Sequence, residues 1–128
     1  AEILKNGGKP VLIAFWLSTC MPCMFEFSVY KEKYASWQKE TGVTIVGISI
    51  DWMKNEEKMR NTAAKEQWPF EVYHDYKKEF QWFVPGGLNG LPQCFLYDGK
   101  GHFIWKKRKF RFGDEEEILN QIKQIVSN

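Results

Sequence analysis

Two apolar runs, "VLIAFWLS" (Val11–Ser18) and "VTIVGISID" (Val43–Asp51), are each one strand long and stand one helix apart. A continuous apolar run of this length reads as a strand buried on both faces. Between the two runs, Phe27, Tyr30, Tyr34 and Trp37 recur at three- and four-residue spacing. That period predicts a helix from Pro22 to about Glu40, with proline where a helix best tolerates it and Thr41-Gly42 as the stop. Strand, helix, strand in this order is a parallel crossover, so both faces of the sheet must be covered. The chain has the material for that: ten Phe and six Trp among 128 residues suit one domain spanning 1–128 that needs no disulfide to hold it together.

The rest of the chain completes an α/β pattern. A helix is predicted over roughly Asn55 to Gln67 with Asn55 as N-cap. A short extended piece, "FEVYHD", and a helical turn over Tyr76–Phe83 follow it. "VPGGLNGLP", residues 84 to 92, is a long loop. "PQCFLYD" and "HFIWKKRKF" read as two strands joined by the turn Gly99-Lys100-Gly101. The last helix is expected to open with Asp114 and Glu117 as a capping box, and to bury Ile118, Leu119, Ile122, Ile125 and Val126. The closing hairpin adds antiparallel strands, which predicts a mixed sheet of four to five strands with helices on both faces.

Chemistry concentrates where the first strand gives way to the first helix, at "FWLSTCMPCMFEF". Cys20 falls at the helix N-cap, where unpaired N–H groups and the positive end of the dipole stabilise a thiolate. Cys23 lies one turn further in, on the same side and more shielded. An exposed activated thiol beside a shielded one suits reversible exchange: Cys20 attacks and Cys23 resolves the mixed disulfide. Met21 and Pro22 lie between them, and Glu26 continues the stripe. A carboxylate there would take the Cys23 proton; the alternative is a solvated helix residue.

"VLIAFWLSTCMPC" followed by a buried strand, with "GLPQCFLYDGKG" later, resembles the thioredoxin-like superfamily, and within it the TlpA/ResA-type thiol-disulfide oxidoreductases. The likeness runs from Lys9 to about Val126. It implies a thioredoxin fold, a cis-proline at Pro92 facing the disulfide, Cys20 as nucleophile and Cys23 as resolving thiol. The pattern carries a glutamate at the position of Glu26, whereas classical thioredoxins carry an aspartate in the preceding strand, here Ala14. It also implies a groove for a protein or peptide disulfide, an upstream electron donor, and an extracytoplasmic site of action such as the bacterial periplasm. Three positions depart from the family: Thr19 and Leu91, where Trp and Thr or Val are usual and which wall the groove, and Ser28, where proline is common.

Other readings are less well supplied with residues. Zinc wants four ligands, but no second C-x-x-C or H-x-x-H is present, and Cys94, His74 and His102 are scattered. Neither a metal nor a cofactor is expected. A haem attachment needs His after Cys23, and residue 24 is Met. A peroxidase of this fold needs Thr three residues before its reactive cysteine; Leu17 and Cys20 stand there instead. A non-catalytic protein-binding module with the same groove remains as the alternative. Cys94 reads first as a small buried hydrophobe and second as a third redox thiol. Met21, Met24, Phe25, Leu88 and Leu91 are either core or an apolar surround for the cysteines.

Charge restricts the partners further. Eighteen Lys+Arg against sixteen Asp+Glu give a net charge of +2, which offers nothing to nucleic acid. "WKKRKFRF", residues 105 to 112, reads as a solvated sheet edge protected by lysine, in preference to a site for an acidic partner or anionic membrane. No apolar stretch approaches the ~20 residues of a membrane span. The opening "AEILKNGGKP" lacks a basic segment followed by an apolar one, so no export signal is expected within the chain.

Overall fold

A computed structural model describes residues 2–127. The elements run β1 (Val11–Trp16), α1 (Met21–Thr41), β2 (Thr44–Ser49), α2 (Glu56–Glu66), β3 (Glu71–His74), α3 (Glu79–Phe83), β4 (Gln93–Tyr97), β5 (Phe103–Arg108) and α4 (Asp114–Val126), with short 3-10 turns at Glu2–Leu4 and Met53–Asn55. The sheet order is β3-β2-β1-β4-β5. β1 and β2 pair in parallel across α1, β2 and β3 in parallel across α2, and β4 returns antiparallel beside β1. The apolar runs thus become the middle of a mixed five-stranded sheet. β1 is buried at every position because it has a strand on either side and side chains packed over both faces.

Alternation along the strands divides the core in two. Leu12, Ala14, Trp16, Cys94 and Leu96 face one layer, where they meet Phe27, Tyr30 and Trp37 of α1, Met59 of α2, and Ile118 and Ile122 of α4. Val11, Ile13, Phe15, Phe95 and Tyr97 face the other, with Leu4, Val84 and, at its margin, Phe80 of α3. Helix α1 comes so close to the sheet that a Cβ built on Gly47 of β2 would stand 2.8 Å from the Phe27 ring. α1 ends at Gly42 in the left-handed conformation (φ 77°), its N–H on the Gln38 carbonyl, which is the glycine stop read from Thr41-Gly42.

Several element ends differ from the sequence reading. Asn55 precedes α2 but does not cap it with its side chain, because it closes a 3-10 turn and its backbone (φ −104°, ψ 12°) is not extended. α3 starts at Glu79, since Lys78 adopts a left-handed φ of 60°; the Asp75 carboxylate accepts the N–H groups of Phe80 and Gln81. The capping box of α4 is absent. Gly113 holds the N-cap, Asp114 accepts the Arg111 N–H, and Glu117 pairs with Lys107 at 2.8 Å. α4 buries Ile118 and Ile122 only; Leu119 and Ile125 are half-buried and Val126 is 49% exposed, because the helix meets the sheet along one narrow stripe. β5 is the sheet edge, as the basic run suggested, and its Lys107 turns inward to the acidic first turn of α4. No helix among the described residues is long and apolar enough to cross a membrane.

Candidate active site

The turn that carries the first cysteine is tied down from beneath. Asp51, at the end of β2, is buried; its carboxylate accepts the Ser18 N–H at 3.0 Å, the Ser18 hydroxyl at 2.6 Å and the Ser49 hydroxyl at 2.6 Å. The exit of β1 is thereby held against the exit of β2. The Cys20 N–H then bonds to the Leu17 carbonyl at 2.9 Å, and Cys20 takes the extended N-cap conformation (φ −92°, ψ 100°). Its Sγ accepts the Cys23 N–H at 3.2 Å, so the sulfur occupies the capping position where a helix favours negative charge. Cys20 and Cys23 are joined as a disulfide, Cα to Cα 5.3 Å. Cys20 is half-buried, while Cys23 is wholly buried.

The other groups singled out in the sequence fall around this pair. Thr19, Met21 and Pro22 are exposed, Met21 by 76%. Phe25 is exposed and leans on Phe110 with ring centroids 5.6 Å apart, whereas Met24 and Leu88 are half-buried. The Leu91–Pro92 peptide bond is cis. Phe15 is opposite Gln93 in the sheet, so Pro92 lies one step beyond that pair, at the end of β1 from which the Cys20 turn departs. Pro92 is buried, its carbonyl accepts the Lys109 N–H at 2.7 Å, and Leu91 beside it is half-buried. A groove of about 770 Å³ lies elsewhere, lined by residues such as Tyr73, His74, Tyr76 and Phe80 and by neither cysteine.

Below the disulfide is a buried polar cluster. Glu26 is 1% exposed, which removes the solvated-helix alternative. Its Oε2 accepts the Tyr30 hydroxyl at 2.6 Å, while Oε1 is buried and meets no hydrogen-bond donor among the described residues. Burial pushes the Glu26 pKa up to about 8, against the opposing pull of the Tyr30 hydrogen bond. Cys94 is a free, buried thiol on the same sheet face as Ala14, and it packs in one cluster with Cys23 and Tyr30. Burial and then the Glu26 charge push its thiol far above the ordinary range, against weaker opposing effects from Tyr30 and Lys107. That environment disfavours a thiolate at Cys94.

Tyr30 and Asp51 escaped the sequence reading. Tyr30 counted only as a core position on the helix stripe, although its place four residues after Glu26 is the spacing at which helical side chains meet. Asp51 counted as the polar end of a strand.

The mixed sheet, the dithiol at the first helix and the cis-proline strand beside it define a thioredoxin-like fold. The AhpC/TSA family matches residues 2–105, and the chain belongs to it. Among characterised relatives, the thiol-disulfide oxidoreductase ResA of Bacillus thuringiensis subsp. konkukian is 29% identical over 122 residues, covering 94% of this chain and 68% of that protein. A thioredoxin-like protein from Porphyromonas gingivalis, solved in solution, superposes with a TM-score of 0.80 at 32% identity, covering 95% of this chain and 78% of the other. StoA from Bacillus subtilis shares the fold, with a TM-score of 0.72 at 19% identity, over 90% and 84% of the two chains.

Proposed function

We propose that the chain is a thiol-disulfide oxidoreductase of ResA type that reduces disulfides of partner proteins outside the cytoplasm. One observation carries the reading: a helix-capping, accessible sulfur at Cys20 is joined to a sulfur at Cys23 that solvent cannot reach. In the working direction, the Cys20 thiolate attacks a substrate disulfide, a Cys20–substrate bond forms, and the first substrate thiolate leaves. Cys23 then loses its proton to Glu26 and attacks the Cys20 sulfur, and the second substrate thiolate departs. Two electrons pass from the dithiol to the substrate, and an upstream donor restores the pair by the reverse route. On that return, a protonated Glu26 supplies the proton that the leaving Cys23 thiolate needs. The elevated Glu26 pKa of the disulfide form suits a carboxyl that waits loaded with it.

Pro92 shapes the groove in this reading, with Thr19, Met21, Pro22 and Leu91 as its walls. The exposed Met21 and Phe25 favour a protein or peptide over a small polar thiol. The unit that does this is a single domain over 1–128.

The test is a redox titration in graded thiol/disulfide buffers, followed by alkylation and mass counting. A two-electron Cys20–Cys23 couple at or below roughly −220 mV supports a reductant, one near roughly −120 mV an oxidant or isomerase. Absence of such a couple overturns the reading. Cys20→Ser separates it from a non-catalytic binding module, since the substitution abolishes disulfide reduction and leaves mere binding intact.

A further inference from the structure

The fully buried Tyr30 hydroxyl is the least explained feature of the cluster beneath the disulfide. Its ring is packed by Phe27, Trp37 and Phe110 with centroids 5.9 to 6.0 Å away. A buried hydroxyl requires a partner, and this one donates to Oε2 of Glu26 at 2.6 Å. Buried polar atoms are mostly paired, so an orphaned carboxylate oxygen calls for an account. Here Oε2 is held by a packed donor, and Oε1 is buried with no hydrogen-bond partner among the described residues. We propose that Tyr30 is a positioning residue for the exchange reaction: by fixing Oε2 it holds Glu26 in one orientation and reserves Oε1 for the proton that passes to and from Cys23.

This rests on the reading of Glu26 as the proton carrier, and adds the group that aims it. The single hydroxyl proton of Tyr30 is committed to Glu26. Tyr30 of α1 bonds to the carboxylate, Cys94 of β4 feels its charge, and Cys23 of α1 shares the core cluster of Cys94 and Tyr30; Lys107 of β5 acts on Cys94. The Lys107 ammonium is itself engaged by Glu117 at 2.8 Å and by Asp114 at 3.7 Å of α4. Tyr30 is therefore the neutral donor that favours the ionised carboxylate, and its loss makes Glu26 hold its proton to higher pH.

The experiment isolates the second step. Reduced protein is mixed with Ellman's reagent, whose disulfide is the oxidant. Cys20 displaces one coloured thiolate, and attack by Cys23 on the resulting mixed disulfide releases the other. The rate of that second release is followed against pH. Tyr30→Phe keeps the ring and removes only the hydroxyl; it shifts the midpoint of the profile upward by about one pH unit relative to the native protein. Cys94→Ala, which spares the clamp, leaves the midpoint in place. A Tyr30→Phe profile that coincides with the native one, while Glu26→Gln alters it, overturns the clamp and leaves Glu26 as carrier. An equal shift in Cys94→Ala also overturns it, because the midpoint then reports any disturbance of the cluster. If Glu26→Gln itself leaves the profile unchanged, the carrier reading falls and this inference falls with it.

Discussion

In the proposed exchange, three residues divide the roles that a reversible dithiol requires. Cys20 is half-buried and caps the helix by accepting the Cys23 N–H, Cys23 is enclosed, and Glu26 lies a further turn along with one oxygen lacking a partner among the described residues. Reduced protein exposed briefly to iodoacetamide should therefore take up one alkyl group, at Cys20, with Cys23 and Cys94 modified only on unfolding. Peptide mapping by mass checks this, and early labelling at Cys94 would contradict its burial. Glu26→Gln should slow the Cys23 step by about 10²-fold or more, the usual contribution of a placed proton carrier, while attack by Cys20 keeps its rate. Rapid mixing resolves the two phases.

At the level of elements, the site depends on how two neighbouring strands end. Asp51 collects three donors from the exits of β1 and β2, and Asp51→Ala leaves the Ser18 N–H and hydroxyl and the Ser49 hydroxyl without it. A loss of roughly 2–4 kcal/mol is expected from buried hydrogen bonds to a charged group, read by urea unfolding, together with slower exchange because the Cys20 turn is no longer anchored. Gly47→Ala tests the approach of α1 to the sheet. The added methyl meets the Phe27 ring, and overpacking of this kind costs about 1–3 kcal/mol.

The strands and α1 were legible in the sequence because burial on two faces and a helical period leave direct traces in residue type. The Cys20–Cys23 pair was legible because its chemistry is fixed by three-residue spacing. Tyr30 was not, since an aromatic on a buried stripe looks the same whether or not its hydroxyl is used. The α4 cap failed because a competing partner, Lys107, comes from a strand edge that no local pattern connects to the helix.

For the molecule as a whole, Glu26 couples folding to pH. The unfolded chain holds its proton only below about 4.5, whereas the fold holds it up to about 8, so the native state binds more protons between those values. The contribution of Glu26 to stability is then greatest below the lower value and falls as pH rises through the window, by on the order of 5 kcal/mol at most. Unfolding of the oxidised protein at several pH values should show this decline, and Glu26→Gln should flatten it. A decline that persists undiminished in the variant would place its origin elsewhere.

The disulfide itself spans a sequence separation of three. So small a ring removes little freedom from the unfolded chain, on the order of 2 kcal/mol, against nearly 5 for a hundred-residue loop. The architecture is thus carried chiefly by the five strands and their two layers of side chains, with the bond adding a smaller share. A catalyst built this way can be spent and recharged turnover after turnover while the scaffold around it keeps its shape.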